Sequence, residues 1–274
     1  MIQPNSPQTS AAVADHYDEL DSVYRALWGE HVHHGYWATG RESSSEAVVA
    51  LSDLVGERLG LRAGDRLVDI GCGYGATARH FAARGADVTG FTLSRAQAAA
   101  ATPAANVRLL CRDWLANGLP DGTYDGAYAI ESSEHMVDKP RFFAEARRVL
   151  RPASRFVICA WLAGETPSGW EVRHLLEPIC DEGRLPSLGR ASDYCAMAEE
   201  AGFACHDYRD ISASVARTWT ICTGRFLRAL VTDPAIRTQV VRARNRRFAL
   251  SLPRLILAYR MGAMRYGVFT FTAR

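Results

Sequence analysis

The sequence predicts an α/β fold, in which helices cover both faces of a mostly parallel sheet of seven strands. Apolar segments rich in β-branched residues alternate with helical segments between residues 66 and 162, a spacing typical of parallel sheets. A glycine-rich loop follows the first of these segments, where such folds bind ligands. The final segment, RYGVFTFTA at residues 265–273, has the alternation of a strand and is predicted to be antiparallel.

Each repeat of the pattern supplies one strand and the helix that follows it. The predicted strands are residues 66–70, 86–91, 107–111, 124–130, 155–162 and 203–211, before the final one. The predicted helices of the sheet are residues 76–84, 94–101, 139–150 and 191–201.

The segments outside this pattern divide the chain into three parts. Residues 1–14 are polar and are predicted to be mobile, and an amphipathic helix from Asp15 ends near Gly29. Long helical stretches fill residues 217–260 and are separated near Asp233-Pro234. We therefore predict an N-terminal helical lid in residues 1–43, a cofactor-binding core in residues 44–163, and a substrate-binding cap with the last two strands in residues 164–274.

Composition limits the class of protein. The 274 residues are 48% hydrophobic and 23% charged, with a formal net charge of +2, values that are ordinary for a globular protein. No apolar run approaches the ~20 residues that would span a bilayer, and residues 1–15 lack the pattern of a secretory signal. The seven cysteines form no CxxC pair. We predict a cytoplasmic protein without membrane insertion.

Three clustered histidines, His31, His33 and His34, raise the question of a metal site. No acidic or cysteine residue accompanies them at the spacing of a zinc site. We therefore predict no metal. A structural role in the loop and a position beside a bound ligand both remain open.

The glycine-rich stretch LVDIGCGYG, residues 67–75, predicts a buried strand, a tight loop and a helix N-terminus that holds a nucleotide-like cofactor. Gly71, Gly73 and Ala76 fit the loose spacing of a dinucleotide site. However, a nicotinamide enzyme usually carries a carboxylate at the end of the second strand, where this chain has Thr92. Asp69 can orient the loop or receive an ammonium group. A cofactor with adenosine and an amino acid, S-adenosylmethionine (SAM), satisfies both observations.

Several motifs together resemble the class I SAM-dependent methyltransferases, whose fold is a Rossmann-like sheet of seven strands. VDIGCGYG is similar to their first motif and GFTLSRAQ to their second, and CRDW supplies the aspartate that usually receives the adenine amino group. AIESSEHMVDKPRFFAEARRVLRP and WGEHVHHGYW resemble the subfamily of tocopherol methyltransferases, natural-product sugar O-methyltransferases and prenyl-diphosphate C-methyltransferases. The resemblance covers about residues 15–210, and departs from the family at Ala153-Ser154, where two glycines are usual.

The resemblance implies a set of cofactor contacts. Gly71 and Gly73 would lie against the methionine part, Asp69 near its amine and Glu131 next to the sulfonium. The adenosine part would contact residues at the ends of the next two strands: Thr92, Leu93, Gln97, Asp113 and Trp114. His34 and Trp37 of the lid are also expected to bind the cofactor.

Catalysis of methyl transfer requires alignment and exclusion of water, and a base when the acceptor must lose a proton. His135, after the fourth strand, is the first candidate base, with Tyr17 of the lid as its hydrogen-bonded partner. A helix-capping role for His135 and simple packing for Tyr17 stay open. Glu131 is the second candidate, or only a cofactor contact. We expect the substrate to lie against Tyr24, Trp161 and Trp219.

The cap is rich in arginine. Residues 217–265 contain eleven arginines and one acid, Asp233. Two interpretations are open. The arginines form a solvated face or a subunit contact, or they bind an anionic substrate such as a diphosphate. The eleven are Arg217, Arg225, Arg228, Arg237, Arg242, Arg244, Arg246, Arg247, Arg254, Arg260 and Arg265.

The predicted function is SAM-dependent methyl transfer to carbon or oxygen of a hydrophobic aromatic or prenylated small molecule, in natural-product or quinone/isoprenoid biosynthesis. The alternatives are a prenyl-diphosphate C-methyltransferase whose arginine-rich cap binds the diphosphate, and a non-catalytic SAM-binding protein. A nucleic-acid substrate is not expected, because the chain has no NPPY-like tetrapeptide and no separate basic module. The acceptor, the methylated atom and a possible homo-oligomer are open.

Overall fold

One sheet of seven strands organises the computed structural model, which describes residues 1–242 and 248–274. The strand order is β3-β2-β1-β4-β5-β7-β6; the first five strands are parallel, and β7 is antiparallel to both β5 and β6. The predicted fold class is confirmed. The strands are β1 (Arg66–Ile70), β2 (Asp87–Thr92), β3 (Val107–Cys111), β4 (Tyr124–Ile130), β5 (Leu150–Ala163), β6 (Phe203–Asp210) and β7 (Met264–Ala273).

The strand order reverses beside β1, and this reversal positions the site. β1 pairs in parallel with β2 on one side and with β4 on the other, so the chain leaves β1 and β4 in opposite directions. Open α/β sheets bind ligands in the crevice that this reversal opens at the carboxyl ends of the strands. The glycine-rich loop follows β1 at that edge.

Helices cover both faces of the sheet and build the lid and the cap. The N-terminal helices are α1 (Ser10–Glu19), α2 (Asp21–Trp28) and α3 (Ser44–Leu59), and those between the parallel strands are α4 (Ala76–Ala82), α5 (Arg95–Ala100) and α6 (Lys139–Val149). A helical segment follows with α7 (Gly169–Glu171), a π-helical turn (Val172–Leu176) and α8 (Glu177–Glu182). The later helices are α9 (Ala191–Glu200), α10 (Ser212–Val215), α11 (Arg217–Thr232), α12 (Pro234–Arg242) and α13 (Phe248–Met261).

The N-terminal segment differs from its prediction. The helix begins at Ser10 instead of Asp15, because the Thr9 side chain caps it by accepting a hydrogen bond from the Ala12 amide at 3.1 Å. Ile2 also forms backbone hydrogen bonds with Leu188. Much of the segment that was predicted to be mobile therefore has defined contacts.

Three apolar clusters stabilise this arrangement. Two lie on the two faces of the sheet, one against α6 and α9 and the other against α3 and α4. The third joins the lid to the cap, since Leu20 and Leu27 pack with Trp219, Leu252 and Leu255. The lid is thus held over the sheet by apolar contacts with the cap helices.

The two glycines of the loop after β1 allow a matched test of backbone constraint. Gly71 has φ +84°, and a Cβ atom there would lie 2.2 Å from Ser132 Cβ; Gly73 has φ +54°, with no atom within 4 Å of a Cβ. We expect Gly71→Ala to lower the free energy of unfolding by about 3 kcal/mol, and Gly73→Ala by about 1 kcal/mol. Denaturant unfolding measures both values, and equal losses would contradict the steric argument.

Candidate active site

A cleft at the carboxyl ends of β1, β2, β3 and β4 contains most of the residues predicted to bind the cofactor, and we call it the cofactor cleft. Its lining includes Gly71, Gly73, Thr92, Leu93, Gln97, Asp113, Trp114 and Glu131. These residues come from four separate stretches of the chain. The parallel sheet brings them together because each stretch follows the same end of a strand.

Asp69 lies in a smaller niche that adjoins the cofactor cleft at Gly71 and Gly73. Its carboxylate is 3% exposed and accepts a hydrogen bond of 3.0 Å from the Tyr128 hydroxyl. Because burial disfavours the charged form, the pKa of Asp69 is raised to about 7. An ammonium group in the niche would supply an opposite charge and restore the carboxylate. The niche therefore fits the amino-acid end of the predicted cofactor.

The other end of the cleft offers polar groups of fixed orientation. The Thr92 hydroxyl donates to Gln97 Oε1 at 2.8 Å, which orients the amide. Asp113 accepts a hydrogen bond from the Leu115 amide at 2.9 Å. The Trp114 ring is buried against Phe91, in an edge-on contact with 5.5 Å between ring centroids. This arrangement suits the predicted binding of adenosine, which stays a prediction.

Helix α1 closes the cofactor cleft from above through contacts that the sequence did not predict. The Ser10 hydroxyl donates to Asp113 Oδ2 at 3.0 Å, next to the predicted adenine position. Asp18 accepts hydrogen bonds from the Ser94 hydroxyl and from the Ala96 amide, at the start of α5. No motif identifies Ser10 or Asp18. Their partners lie 103 and 76 positions away in the chain, and only the fold brings them into contact.

Glu131 occupies the end of β4 in a left-handed backbone conformation, with φ +53°. Such strain in a non-glycine residue is often found at functional sites. Its carboxylate accepts four hydrogen bonds, from the His34 amide (2.6 Å), His34 Nδ1 (2.9 Å), Trp161 Nε1 (2.9 Å) and the Tyr266 hydroxyl (2.7 Å). Burial raises the pKa of Glu131, but His34 outweighs it and lowers the pKa to about 2. A carboxylate held this firmly in its ionised form is a poor base.

Two residues predicted to contact the cofactor lie elsewhere. His34 is buried behind Glu131, where its ring and amide hold the carboxylate. The Trp37 indole donates to the Glu42 carbonyl at 2.9 Å and lines an outer groove beside α3. Neither residue lines the cofactor cleft, although Val32 of the same loop does. The geometry therefore does not support these two assignments.

His135 ends the short 3-10 helix Ser133–His135 that follows β4. Its Nε2 atom forms a hydrogen bond of 2.9 Å with the Tyr17 hydroxyl, so the predicted pair is present in the structure. Burial lowers the pKa of His135 to about 4, and burial raises the pKa of Tyr17 above its usual range. Both side chains are therefore neutral near pH 7, and the imidazole is able to accept a proton.

A second cavity, the aromatic cavity, lies between the lid and the cap. Its lining comprises Tyr17, Tyr24, Trp28, Val32, Glu131, Glu134, His135, Trp161, Ile179, Gly183, Leu185, Trp219, Ser251 and Leu255. Tyr24, Trp161 and Trp219, the predicted substrate contacts, are all included. Four residues, Tyr17, Val32, Glu131 and His135, line both this cavity and the cofactor cleft. The two spaces therefore meet where the candidate base lies.

The arginines of the cap do not reach this meeting point in the part of the chain that the structure describes. None of the described arginines lines the aromatic cavity. Arg254 pairs with Glu182, Arg265 pairs with Asp210, and Arg217 lies over the Trp37 ring. Arg244, Arg246 and Arg247 lie outside the described residues.

Glu134 is a residue of the aromatic cavity that the sequence did not single out. Its side chain is 1% exposed, and its carboxylate accepts hydrogen bonds from the Trp161 amide and from the Ser133 hydroxyl. Burial raises the pKa of Glu134 to about 7. Its position next to His135 in the sequence was the available signal. The sequence analysis instead assigned the candidate bases to Glu131 and His135.

Residues 1–242 and 248–274 contain no group of three or more histidine, cysteine, aspartate or glutamate residues arranged to hold a metal ion. His31 and His33 instead bond to each other, with 3.1 Å between ring nitrogens. Within the same residues, no helix has the length and apolar character needed to cross a membrane.

Comparison with known proteins gives one family and several relatives. The model of the family described as mycolic acid cyclopropane synthetase matches residues 5–263. The 27-O-demethylrifamycin SV methyltransferase of Amycolatopsis mediterranei is 34% identical, over 77% of this chain and 80% of its own length. The probable chloroplastic tocopherol O-methyltransferase of Oryza sativa subsp. japonica is 31% identical, over 96% of this chain and 78% of its own.

The same fold occurs in solved structures. A cyclopropane synthase from Mycobacterium tuberculosis superposes with a TM-score of 0.85 at 23% identity, covering 98% of this chain and 99% of its own. At that identity, the likeness shows the fold alone.

The hydrogen bonds of Glu131 predict a large difference between two substitutions. In Glu131→Gln an NH2 group replaces one carboxylate oxygen, so it faces two donors and cannot accept their hydrogen bonds. We therefore expect the free energy of unfolding to fall by about 3 kcal/mol. Tyr266→Phe removes one donor and nearly keeps the shape, and we expect a loss of about 1 kcal/mol. Denaturant unfolding at neutral pH compares the two. Equal stability of wild type and Glu131→Gln would contradict the proposed constraint.

Proposed function

The chain belongs to the mycolic acid cyclopropane synthetase family of class I SAM-dependent methyltransferases, and on this premise we propose that it methylates a hydroxyl oxygen of an apolar small molecule. The observation that carries the choice of oxygen is the neutral His135–Tyr17 pair at the meeting point of the two cavities. A hydroxyl must lose its proton when it is methylated, and a neutral imidazole is suited to accept it.

The other residues of the site support this chemistry. SAM supplies an activated methyl group on a sulfonium. Asp69 would bind its ammonium and Asp113 its adenine, while the ionised Glu131 attracts the positive charge. The acceptor hydroxyl would pass its proton to the Tyr17 oxygen while Tyr17 passes its own proton to Nε2 of His135, the nitrogen to which it is hydrogen-bonded, and this would leave the acceptor oxygen able to take the methyl group. Tyr17 orients the imidazole, and the lid excludes water.

The acceptor class follows from the lining of the aromatic cavity. Tyr24, Trp28, Trp161 and Trp219 provide large flat apolar surfaces, with Ile179 and Leu185 opposite in the cap segment. Such walls favour a bulky aromatic or prenylated acceptor. Two relatives are named as an O-methyltransferase and as a methyltransferase of a 27-O-demethyl compound, which supports an oxygen acceptor.

The diphosphate alternative has less support. A diphosphate in the aromatic cavity would require cations in its lining, and the described arginines of the cap point elsewhere. A cytoplasmic location, a role in natural-product or quinone/isoprenoid biosynthesis, and a possible homo-oligomer stay predictions from the sequence.

Labelled SAM and a panel of acceptors test the proposal. The panel contains phenols, quinols and prenyl diphosphates of matched apolar size, and each product is analysed for the labelled atom. We expect label on the oxygen of a phenol or quinol. Label on carbon of a prenyl diphosphate would favour the alternative, and binding of SAM without transfer to any acceptor would contradict oxygen methylation.

Removal of the candidate base should slow the reaction without weakening cofactor binding. We expect His135→Ala to lower kcat by about 10²- to 10⁴-fold, the usual contribution of a general base, with the Kd for SAM nearly unchanged. Tyr17→Phe keeps the imidazole and loses one hydrogen bond, so a loss of about tenfold is expected. Steady-state rates and calorimetric binding measure both. Unchanged turnover in His135→Ala would exclude the assignment.

The pH dependence of kcat/KM for the acceptor, measured at saturating SAM so that the bound ammonium keeps Asp69 ionised, should show the environment of His135. Its pKa is lowered to about 4, so the neutral form persists through the mildly acidic range. Activity should therefore be retained as the pH falls below 6.5 and be lost only as it passes through about 4. The rate profile of wild type, with folding monitored by circular dichroism at each pH, measures this. Loss of activity near pH 6.5 in a folded protein would contradict it.

A further inference from the structure

Lys139 is the only lysine of the chain, and its ammonium group is buried at the start of α6, with the residue 2% exposed. Nζ donates hydrogen bonds to the carbonyls of Glu134 (3.0 Å) and Met136 (3.3 Å), and to the carbonyl and hydroxyl of Ser187 (both 2.9 Å). None of these four acceptors is a carboxylate. A buried charge that is bound by neutral groups is costly to place, which indicates that the charge has a role.

The position of these acceptors suggests the role. Glu134 and Met136 are the residues on either side of His135, so the ammonium fixes the backbone turn that carries the candidate base. Ser187 belongs to the loop between α8 and α9, on the side of the cap. Lys139 therefore joins three parts of the molecule at one point: α6, the turn after β4, and the loop that precedes α9.

The charge of Lys139 also acts on His135 through space. The charged and titratable groups around His135 are Tyr17 and His16 from α1, Glu131 and Glu134 from the end of β4, and Lys139 itself. Burial is the main reason why the pKa of His135 is lowered, and Lys139 lowers it further. The backbone of Arg184, in the loop after α8, raises the pKa of His135 by hydrogen bonding, and Glu131 raises it by its charge. The pKa of Lys139 is itself lowered by burial to about 8, while Glu134 opposes this shift. The ammonium is therefore mostly charged at pH 7.

We propose that Lys139 is a positioning residue for methyl transfer: it fixes the turn that carries His135, and its positive charge keeps the imidazole in its proton-accepting form. This inference rests on the proposed role of His135 as the base. It assigns a function to the one buried cation beside the aromatic cavity in the described part of the chain.

Lys139→Met tests the charge, because methionine is unbranched, similar in length and apolar. We expect the acid limb of kcat/KM to move to higher pH by about one unit, as for removal of a nearby like charge. We also expect kcat to fall about tenfold, with the Kd for SAM unchanged. Ser187→Ala is the matched control, since it removes one acceptor and keeps the charge, and its acid limb should stay in place.

Two outcomes separate the inference from the proposed function. If His135→Ala turns over as fast as wild type, the proposed function fails. If His135→Ala is slow but the acid limb of Lys139→Met coincides with that of wild type, the inference alone fails. A purely structural role would lower stability in both Lys139 and Ser187 variants without moving either limb.

Magnetic resonance of the wild-type enzyme gives a second test that does not require a Lys139 variant to fold. Because the chain has one lysine, labelling of lysine with nitrogen-15 yields a single Nζ signal without assignment. We expect this signal to titrate near pH 8, below the ~10.4 of an exposed lysine, and to shift again near pH 4 as His135 becomes protonated. The second shift should vanish in His135→Ala. An Nζ signal that does not shift near pH 4, or a shift that persists in His135→Ala, would contradict the electrostatic coupling between Lys139 and His135.

Discussion

The rest of the site depends on the carboxylate of Glu131. It accepts hydrogen bonds from the lid loop at His34, from β5 at Trp161 and from β7 at Tyr266. Protonation would leave buried donors without an acceptor, which makes the neutral form unfavourable. The structure therefore fixes a negative charge at the end of β4, where the cofactor cleft meets the aromatic cavity. The left-handed backbone of Glu131 is a local strain that these four hydrogen bonds stabilise.

Under the proposed function, this arrangement divides the work of the site between a charged and a neutral residue. Glu131, fixed as an anion, attracts a sulfonium cation more strongly than the neutral thioether that remains after methyl transfer. His135 and Tyr17, both neutral, face the same junction from the turn after β4 and from α1. If Glu131 could take up a proton, it would compete with His135 for the proton of the acceptor hydroxyl. Its hydrogen bonds remove this competition.

Sequence patterns were sufficient for the sheet and for most of the cofactor cleft. Their signals are local: a strand and the turn after it are contiguous, so periodicity and the glycine-rich loop place Gly71 and Thr92 at one edge of the sheet, while the family resemblance adds Asp113. The errors and omissions concern contacts between distant segments. His34 was assigned to the cofactor, yet it binds Glu131, 97 positions away. Nothing in the periodicity of the lid specifies which side of that loop faces the cleft.

The same reason explains the omission of Glu134 and Lys139. In the sequence, Lys139 is a single cation at the start of an amphipathic helix, a position that normally faces solvent. Its burial depends on the loop at Ser187, which supplies two of its four oxygen acceptors only once α9 and the cap are in place. The arginine-rich segment is the opposite case: its charge pattern is strong in the sequence, yet none of the arginines that the structure describes lines the aromatic cavity.

The central claim is that methyl transfer takes place where the two cavities meet, and a crystal structure with S-adenosylhomocysteine and a phenolic acceptor tests it most directly. The account predicts the sulfur beside Glu131, with the acceptor oxygen between the sulfur and the His135–Tyr17 pair, within hydrogen-bonding distance of that pair. An acceptor whose hydroxyl lies away from His135, with its ring outside the walls formed by Trp161 and Trp219, would contradict the account.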